Sequence, residues 1–300
     1  MTRDLVVIGA GPAGISAALW ARSLDLDTVV LERGERPGGQ LHLIHFALRN
    51  VAGAVGLTGA ELAARMVPRE PARLDLRLGA AVTAIDPDAG VVTFAGGETL
   101  ATRATLIASG MRRRRLEAAG AERLTGRGVS YSATRDRERF AGRAMLVVGG
   151  GDAAFENALI LAETGCRVTL VVRGAARARR EFLSRVAACE AIRVREGAEV
   201  IEVLGEEQVA GARIRDGSAV EAVACDGIVV KIGMVPNSEP FRGVVATEAQ
   251  GFVTVDPTLR TSHERVWAAG DVTRPKPPGI PVAWGHGALA AESIRSSLRG

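Results

Sequence analysis

Short apolar runs punctuate this chain at regular intervals. Residues 5–8 (LVVI), 28–31 (TVVL), 145–148 (MLVV) and 167–172 (RVTLVV) are rich in β-branched residues and bounded by glycine or charge. Such runs predict buried parallel strands. Between the first two, residues 13–24 carry a helical pattern. Between the second two, a helix is expected from a Gly-rich turn to about Glu163. Residues 106–110 (LIASG) and 228–233 (IVVKIG) are further apolar strands ending in glycine. Each follows a meander of short strands with Gly-Gly or Asp-Gly turns, near residues 95–98 and 215–218. Residues 266–271 (VWAAGD) place an Asp at a strand end, and a final helix is expected over 287–298. The pattern is one strand–helix–strand unit used twice.

The predicted fold class is therefore α/β, with two Rossmann-like three-layer nucleotide-binding domains. A length of 300 residues suits two domains, and 47% hydrophobic residues can fill two cores. The net charge of +4 is mild, and Lys231 and Lys276 are the only lysines in an arginine-rich chain, so no nucleic-acid surface is expected. Arg112 to Arg115 form the one basic run, expected as a solvated linker or as a docking patch for an acidic protein. Asp4 and the Gly-Pro-Gly cluster of residues 9–14 break the first apolar run, so no export signal is expected. No stretch is long enough for a membrane span. Cys166, Cys189 and Cys225 are far apart, which fits neither a disulfide framework nor a metal site; a cytoplasmic location is the expectation.

Two Gly-rich turns carry the chemistry. Gly9, Gly11 and Gly14 form GxGxxG between a strand and a helix. Glycines there allow a tight turn and close approach of a pyrophosphate to a helix N-terminus. Glu32 follows the next strand at the distance where a carboxylate accepts from a ribose diol. Gly149, Gly151 and Ala154 repeat the device as GxGxxA, but the next strand ends at Arg173, with Arg177, Arg179 and Arg180 close behind. A guanidinium there pairs with a 2′-phosphate, whereas an acid repels it. The first turn thus favours FAD and the second NADPH.

The motifs GAGPAG at Gly9, GGQL at Gly38, SG at Ser109, GVSYSATRD at Gly128, VVGGGDAA at Val147, GMVPN at Gly233 and AAGDV at Ala268 make the chain resemble low-molecular-weight thioredoxin reductases over nearly its full length. The resemblance implies an NADPH domain (114–240) inserted into a discontinuous FAD domain (1–113 and 241–300), and a homodimer. It implies FAD contacts at Gly9, Gly11, Ala13, Gly14, Glu32, Gly39, Gln40, Asn50, Val82, Gly110 and Asp271. Nucleotide contacts are expected at Gly149, Gly151, Ala154, Arg173 and Arg177. The last helix is expected to point its positive end at the flavin.

Where that family carries Cys-x-x-Cys, this chain reads Ser132-Ala133-Thr134-Arg135. A serine hydroxyl has too high a pKa to replace a thiolate in disulfide exchange. The resemblance also places Ala153, Asn157 and Gly174 where the family has Ser, an acid and Arg. Trp284 and His286 stand near the flavin, each with a packing or surface alternative, and His42 and His45 follow GGQL as possible flavin-edge groups. Two functions remain open. One is an NADPH-dependent flavoenzyme with a non-dithiol acceptor, with a small electron-carrier protein as the candidate partner. The other is a flavin-binding sensor or scaffold, or a flavoprotein reduced by a donor such as ferredoxin. Ferredoxin–NADP reductases of the same type also lack the Cys pair, but carry a C-terminal aromatic tail that this sequence does not show.

Overall fold

The computed structural model describes residues 1–67 and 74–299. It divides into two compact units, Met1–Arg112 with Val235–Gly300, and Arg113–Met234. The first opens with β1 (Arg3–Ile8), α1 (Pro12–Ser23), β2 (Thr28–Leu31), α2 (Gly59–Met66), β3 (Asp75–Arg77), β4 (Val82–Asp86), β5 (Val91–Phe94) and β6 (Glu98–Ile107). β7 (Met111–Arg113) leads out of it. The second unit holds β8 (Val129–Ser130), α3 (Ala133–Phe140), β9 (Ala144–Val148), α4 (Asp152–Ala162), β10 (Arg167–Val172), α5 (Arg180–Ala187) and β11 (Ile192–Glu196). A meander of β12 (Ala198–Leu204), β13 (Gly211–Asp216) and β14 (Ala219–Ala224) follows, then β15 (Gly227–Val230). β16 (Met234–Pro236) leads back, and β17 (Val266–Ala268) and α6 (Ile280–Arg299) complete the first unit.

In the first unit β3, β2, β1, β6 and β17 run parallel. The ten-residue β6 serves two sheets: residues 102–107 pair with β1, while residues 98–101 pair antiparallel with β5. One face of the parallel strands buries Leu5, Val7 and Leu106 against α1 and α6. The other buries Val6, Ile8 and Val29 against Ile85, Val92 and Phe94 of the meander. The second unit repeats the plan: its five parallel strands run in the order β11, β10, β9, β15, β8. Val147 and Leu170 face Phe155 of α4 and Phe182 of α5; Leu146 and Ile228 face Val200 and Ile214 of the second meander. Strands buried on both faces explain the uninterrupted apolar runs. The expected strands 28–31 and 167–172, and both meanders, are present.

One expectation is corrected. The last helix begins at Ile280, not 287, and spans twenty residues. Gly287, the expected first residue, lies inside the helix and serves close helix packing. A Cβ on it would lie 2.3 Å from the Ala13 carbonyl oxygen of α1, which is why α6 approaches a surface of buried alanines. The basic run lies where the chain passes from the first unit to the second, with Arg112 paired to Glu239 at 2.7 Å, Arg115 paired to Glu122, and Arg113 half-buried.

The two glycines of α6 give opposite predictions. Glycine inside a helix normally costs ~0.5–1 kcal/mol against alanine. A Cβ at Gly285 meets nothing within 4 Å, so Gly285→Ala is expected to be neutral or stabilising. Gly287→Ala drives a methyl into backbone and should destabilise by about 1–3 kcal/mol. Denaturant unfolding of the two variants checks this; equal midpoints would contradict the packing.

Candidate functional site

The first Gly-rich turn joins β1 to α1. Gly9 adopts φ +108°, and a Cβ there would lie 2.5 Å from the Ala108 carbonyl oxygen, just past the end of β6. A Cβ on Gly14 would lie 1.9 Å from the Gly9 oxygen. Both glycines are thus required by the protein's own backbone. Gly11 is different: a Cβ there meets no protein atom within 4 Å. The Gly38 N–H donates to the Ala10 carbonyl at 2.8 Å, and a Cβ on Gly39 would lie 3.2 Å from Gly11 Cα. Glu32, at the end of β2, accepts from the Ala10 N–H through Oε2 and from the Gly34 N–H through Oε1, both at 2.8 Å.

Polar groups converge beside this turn. Gln40 Nε2 donates to Asp271 Oδ2 at 3.2 Å, and a Cβ on Gly110 would lie 3.8 Å from Gln40 Nε2. Asp271 belongs to a 3-10 turn after β17, and a Cβ on neighbouring Gly270 would meet Ala13 at 2.9 Å. Asp271 Oδ1 is buried with no hydrogen-bond partner. Burial pushes its carboxyl above the ordinary range, against the pull of Gln40, the Gly279 backbone and His286. His286 Nδ1 accepts from the Gly270 N–H at 3.3 Å, and burial lowers its pKa, opposed by Asp271. The imidazole is therefore neutral near pH 7.

The remaining candidates of this unit are Trp284, His42, His45, Asn50 and Val82. Trp284 is partly buried against the apolar cluster of Leu41, Leu48 and Leu62, and its carbonyl accepts from Ser16 Oγ at 2.8 Å. His42 Nε2 bonds the Pro37 carbonyl at 2.7 Å, while Nδ1 is buried without a partner. Asn50 and His45 are exposed; Val82 is half-buried at its pairing with Phe94. Asn237 escaped the sequence reading as a site residue. Buried, it donates from Nδ2 to the Ser109 carbonyl and accepts on its own carbonyl from Ser109 Oγ, both at 2.7 Å, and its N–H holds the Gly110 carbonyl at 2.9 Å. The signal lay in PN of GMVPN, but its partners in Ser109 and Gly110 lie 127–128 residues earlier, invisible to local pattern.

The second turn repeats the first. Gly149 adopts φ +143°, and its Cβ would lie 2.2 Å from the Lys231 carbonyl oxygen, just past β15. Gly151, like Gly11, meets nothing within 4 Å. Ala154 takes the third position and is fully buried. Arg173, at the end of β10, and Arg177 are exposed and form no ion pair among the described residues. The Arg177 N–H is fixed to the Gly150 carbonyl at 2.7 Å. Arg179 is engaged instead with Asp152, at 2.6 Å through Nε and 2.7 Å through its N–H.

The segment 130–136 forms a closed polar network in the second unit. Ser132 is buried and caps α3, its Oγ accepting from the Arg135 N–H at 3.3 Å. Asn157 of α4 accepts from the Ala133 N–H at 2.9 Å and donates to the Ala153 carbonyl at 2.7 Å. Ser130 Oγ donates to Asp136 Oδ2 at 2.5 Å, and Arg135 grips both Asp136 oxygens at 2.8 Å. Burial alone would raise Asp136; Arg135 and Ser130 outweigh it and hold the carboxyl below its ordinary range. All three cysteines are free thiols. Cys166 is buried and donates to the Phe140 carbonyl at 2.9 Å, and burial pushes the Cys225 thiol up to about 12. Among the described residues no cluster of His, Cys, Asp or Glu is placed to hold a metal, and no helix is long and apolar enough to cross a membrane.

Known proteins share this architecture. Residues 3–287 match the pyridine nucleotide-disulphide oxidoreductase family model. The chain is 35% identical to a thioredoxin reductase of Listeria monocytogenes, over 97% of this chain and 92% of that one. It is 39% identical to a thioredoxin reductase of Mycolicibacterium smegmatis, over 90% and 88%. The crystal structure of Lactococcus lactis thioredoxin reductase superposes with a TM-score of 0.81 at 30% identity, covering 99% of both chains. With two Gly-rich turns on duplicated parallel sheets and a family match over almost its whole length, the chain belongs to the pyridine nucleotide-disulphide oxidoreductases, as an FAD-dependent oxidoreductase of NAD(P)H.

Proposed function

We propose that this chain holds FAD in the first unit and NADPH in the second, and delivers electrons to an acceptor other than a thioredoxin disulfide. The observation that carries the reading is the network at 130–136. Ser132 and Arg135 occupy the positions where the resemblance expects the redox cysteines, and their polar atoms are committed to capping α3 and gripping Asp136. Cys166 and Cys225 are buried, Cys189 is partly exposed, and no two cysteines pair, so no dithiol is set to relay electrons.

The residues present fit both nucleotides. Gly11 and Gly151 keep clear a space that no protein atom needs, at the amino ends of α1 and α4, where free N–H groups favour a diphosphate. Glu32 uses one acceptor direction of each oxygen on backbone amides, leaving others for a ribose diol. The bare Asp271 Oδ1 suits a ligand hydroxyl, and Gln40 and Asn237 hold the neighbouring loops in place. FAD, when bound, supplies a carrier that takes hydride from NADPH. Neutral His286, tied to the Gly270 backbone, fixes the turn carrying Asp271. Arg173 and Arg177, free of carboxylate partners, suit a 2′-phosphate.

NADPH added anaerobically to the yellow protein should bleach the flavin absorbance rapidly, with no thioredoxin reduced in coupled assays. Thioredoxin reduction that survives replacement of Cys166, Cys189 and Cys225 by alanine would overturn the non-dithiol reading. Failure to bleach would favour a protein electron donor or a sensor.

Gly11→Val should fold, because a Cβ there meets no protein atom within 4 Å, yet purify colourless. A fully flavinated Gly11→Val protein would refute the first site. The Arg–phosphate contact is worth roughly 1.5–3 kcal/mol. NADPH should therefore bind about tenfold to hundredfold tighter than NADH. Arg173→Ala should remove most of that preference, measured as the ratio of the two dissociation constants.

A further inference from the structure

We propose that Lys231 binds the diphosphate of the pyridine nucleotide at the second Gly-rich turn, a proposal that rests on the nucleotide reading of that unit. In an open parallel sheet, ligands settle outside the carboxyl ends of the strands where the strand order reverses. In the second unit the chain leaves β9 through α4 for β10 and β11 on one side, while β15 and β8 lie on the other. The reversal is between β9 and β15. Lys231 is the residue that follows β15. Its N–H donates to the Val148 carbonyl at 2.7 Å, and its carbonyl is the atom that forbids a Cβ on Gly149. The residue forms the wall of the crevice facing the turn.

The duplication supplies an internal comparison. In the first unit Ala108 holds the same position: its N–H donates to the Ile8 carbonyl at 2.9 Å, its carbonyl faces Gly9, and Ser109-Gly110 follow as Ile232-Gly233 follow Lys231. The backbone arrangement therefore needs only a methyl. The second unit instead places a half-buried amine there, in a chain that has one other lysine and otherwise uses arginine. Among the described residues no carboxylate lies within ion-pair distance of Lys231 and no side-chain hydrogen bond engages it. A half-buried cation without a partner is costly unless an anion completes it. The diphosphate favoured by the α4 amino end is the anion that the crevice would present.

The charged groups acting on Lys231 are Arg113 of β7 and Glu156 of α4. Burial first, then Arg113, lowers the ammonium pKa to about 8, with Glu156 opposing. Only the protonated form pairs with a diphosphate, and pairing raises the pKa. Affinity is therefore full below pH 8 and declines as pH rises through 8. Arginine at this position would keep its charge throughout.

The test is calorimetric titration of the flavin-loaded protein with NADP⁺ and NAD⁺ between pH 6.5 and 9.5, for wild type, Lys231→Ala and Lys231→Arg. Far-UV circular dichroism and flavin content report folding, and the alanine variant copies the working first unit. At low pH, Lys231→Ala should bind both nucleotides roughly tenfold more weakly, as for a lost charge-assisted hydrogen bond. The NADP⁺ to NAD⁺ ratio should not change, because the diphosphate is common to both. Wild-type affinity should fall by a similar factor across the pH range, while both variants stay flat. Lys231→Ala binding as wild type, or with the wild-type pH dependence, overturns this proposal alone. A wild type that binds neither nucleotide overturns the reading of the second unit and this proposal with it.

Discussion

Both halves of the molecule are organised by one steric contact, the approach of a glycine Cα to a carbonyl oxygen of the neighbouring strand's extension. Gly9 lies against the Ala108 carbonyl and Gly149 against the Lys231 carbonyl, at distances no side chain tolerates. That contact lets the chain leave β1 or β9 and turn at once into a helix directly over the sheet edge. The helix start then brings its unpaired N–H groups to the crevice. The third position adjusts to each copy. In the first, a Cβ on Gly14 would strike the Gly9 oxygen, whereas in the second the fully buried Ala154 is accommodated. The middle glycines answer to no contact inside the protein, which separates what folding requires from what a ligand requires.

That distinction marks how far the sequence could be read. Strands 28–31 and 167–172 were legible because apolar runs buried on both faces end sharply at glycine or charge. The start of α6 was not, because Pro281 and Gly285, residues of low helix propensity, precede the expected start at Gly287. Proline is tolerated in a first helical turn, and Gly287 is selected by contact with α1, a partner more than 260 residues away in sequence. Within the site, Glu32, Gln40 and Asp271 were visible through their motifs, whereas the clamp of Asn237 on Ser109 and Gly110 was not, since it acts on backbone atoms. Asn50 and Trp284 show what positional carry-over leaves open, which is exposure and packing: the structure puts one on the surface and the other, in line with its packing alternative, against an apolar cluster.

The departures at 132 and 157 are physically one change. A helix start buries N–H groups that need acceptors. The Ser132 hydroxyl takes one and the Asn157 amide oxygen takes another. An acid at 157 could accept from Ala133 but could not also donate to the Ala153 carbonyl, as the Asn157 amide does. Ser130, Asp136 and Arg135 close the same circuit with three charge-assisted bonds. The buried part of this network resists rearrangement, because pulling out Ser130, Ser132 or Asn157 leaves a buried polar atom unpaired.

The route of electrons follows from the same electrostatics. Disulfide exchange needs a thiolate, and a thiol with a pKa of about 12, such as Cys225, is ionised in only about one molecule in 10⁵ at pH 7. Cys166 is held in the core by its bond to the Phe140 carbonyl. On the proposed reading, in which neither Ser132 nor Arg135 accepts electrons, an acceptor takes them from the flavin itself, and selection among acceptors falls on the groups proposed to line that site, Gln40, Asp271 and the backbone held by Asn237 and His286, rather than on the reactivity of a cysteine pair.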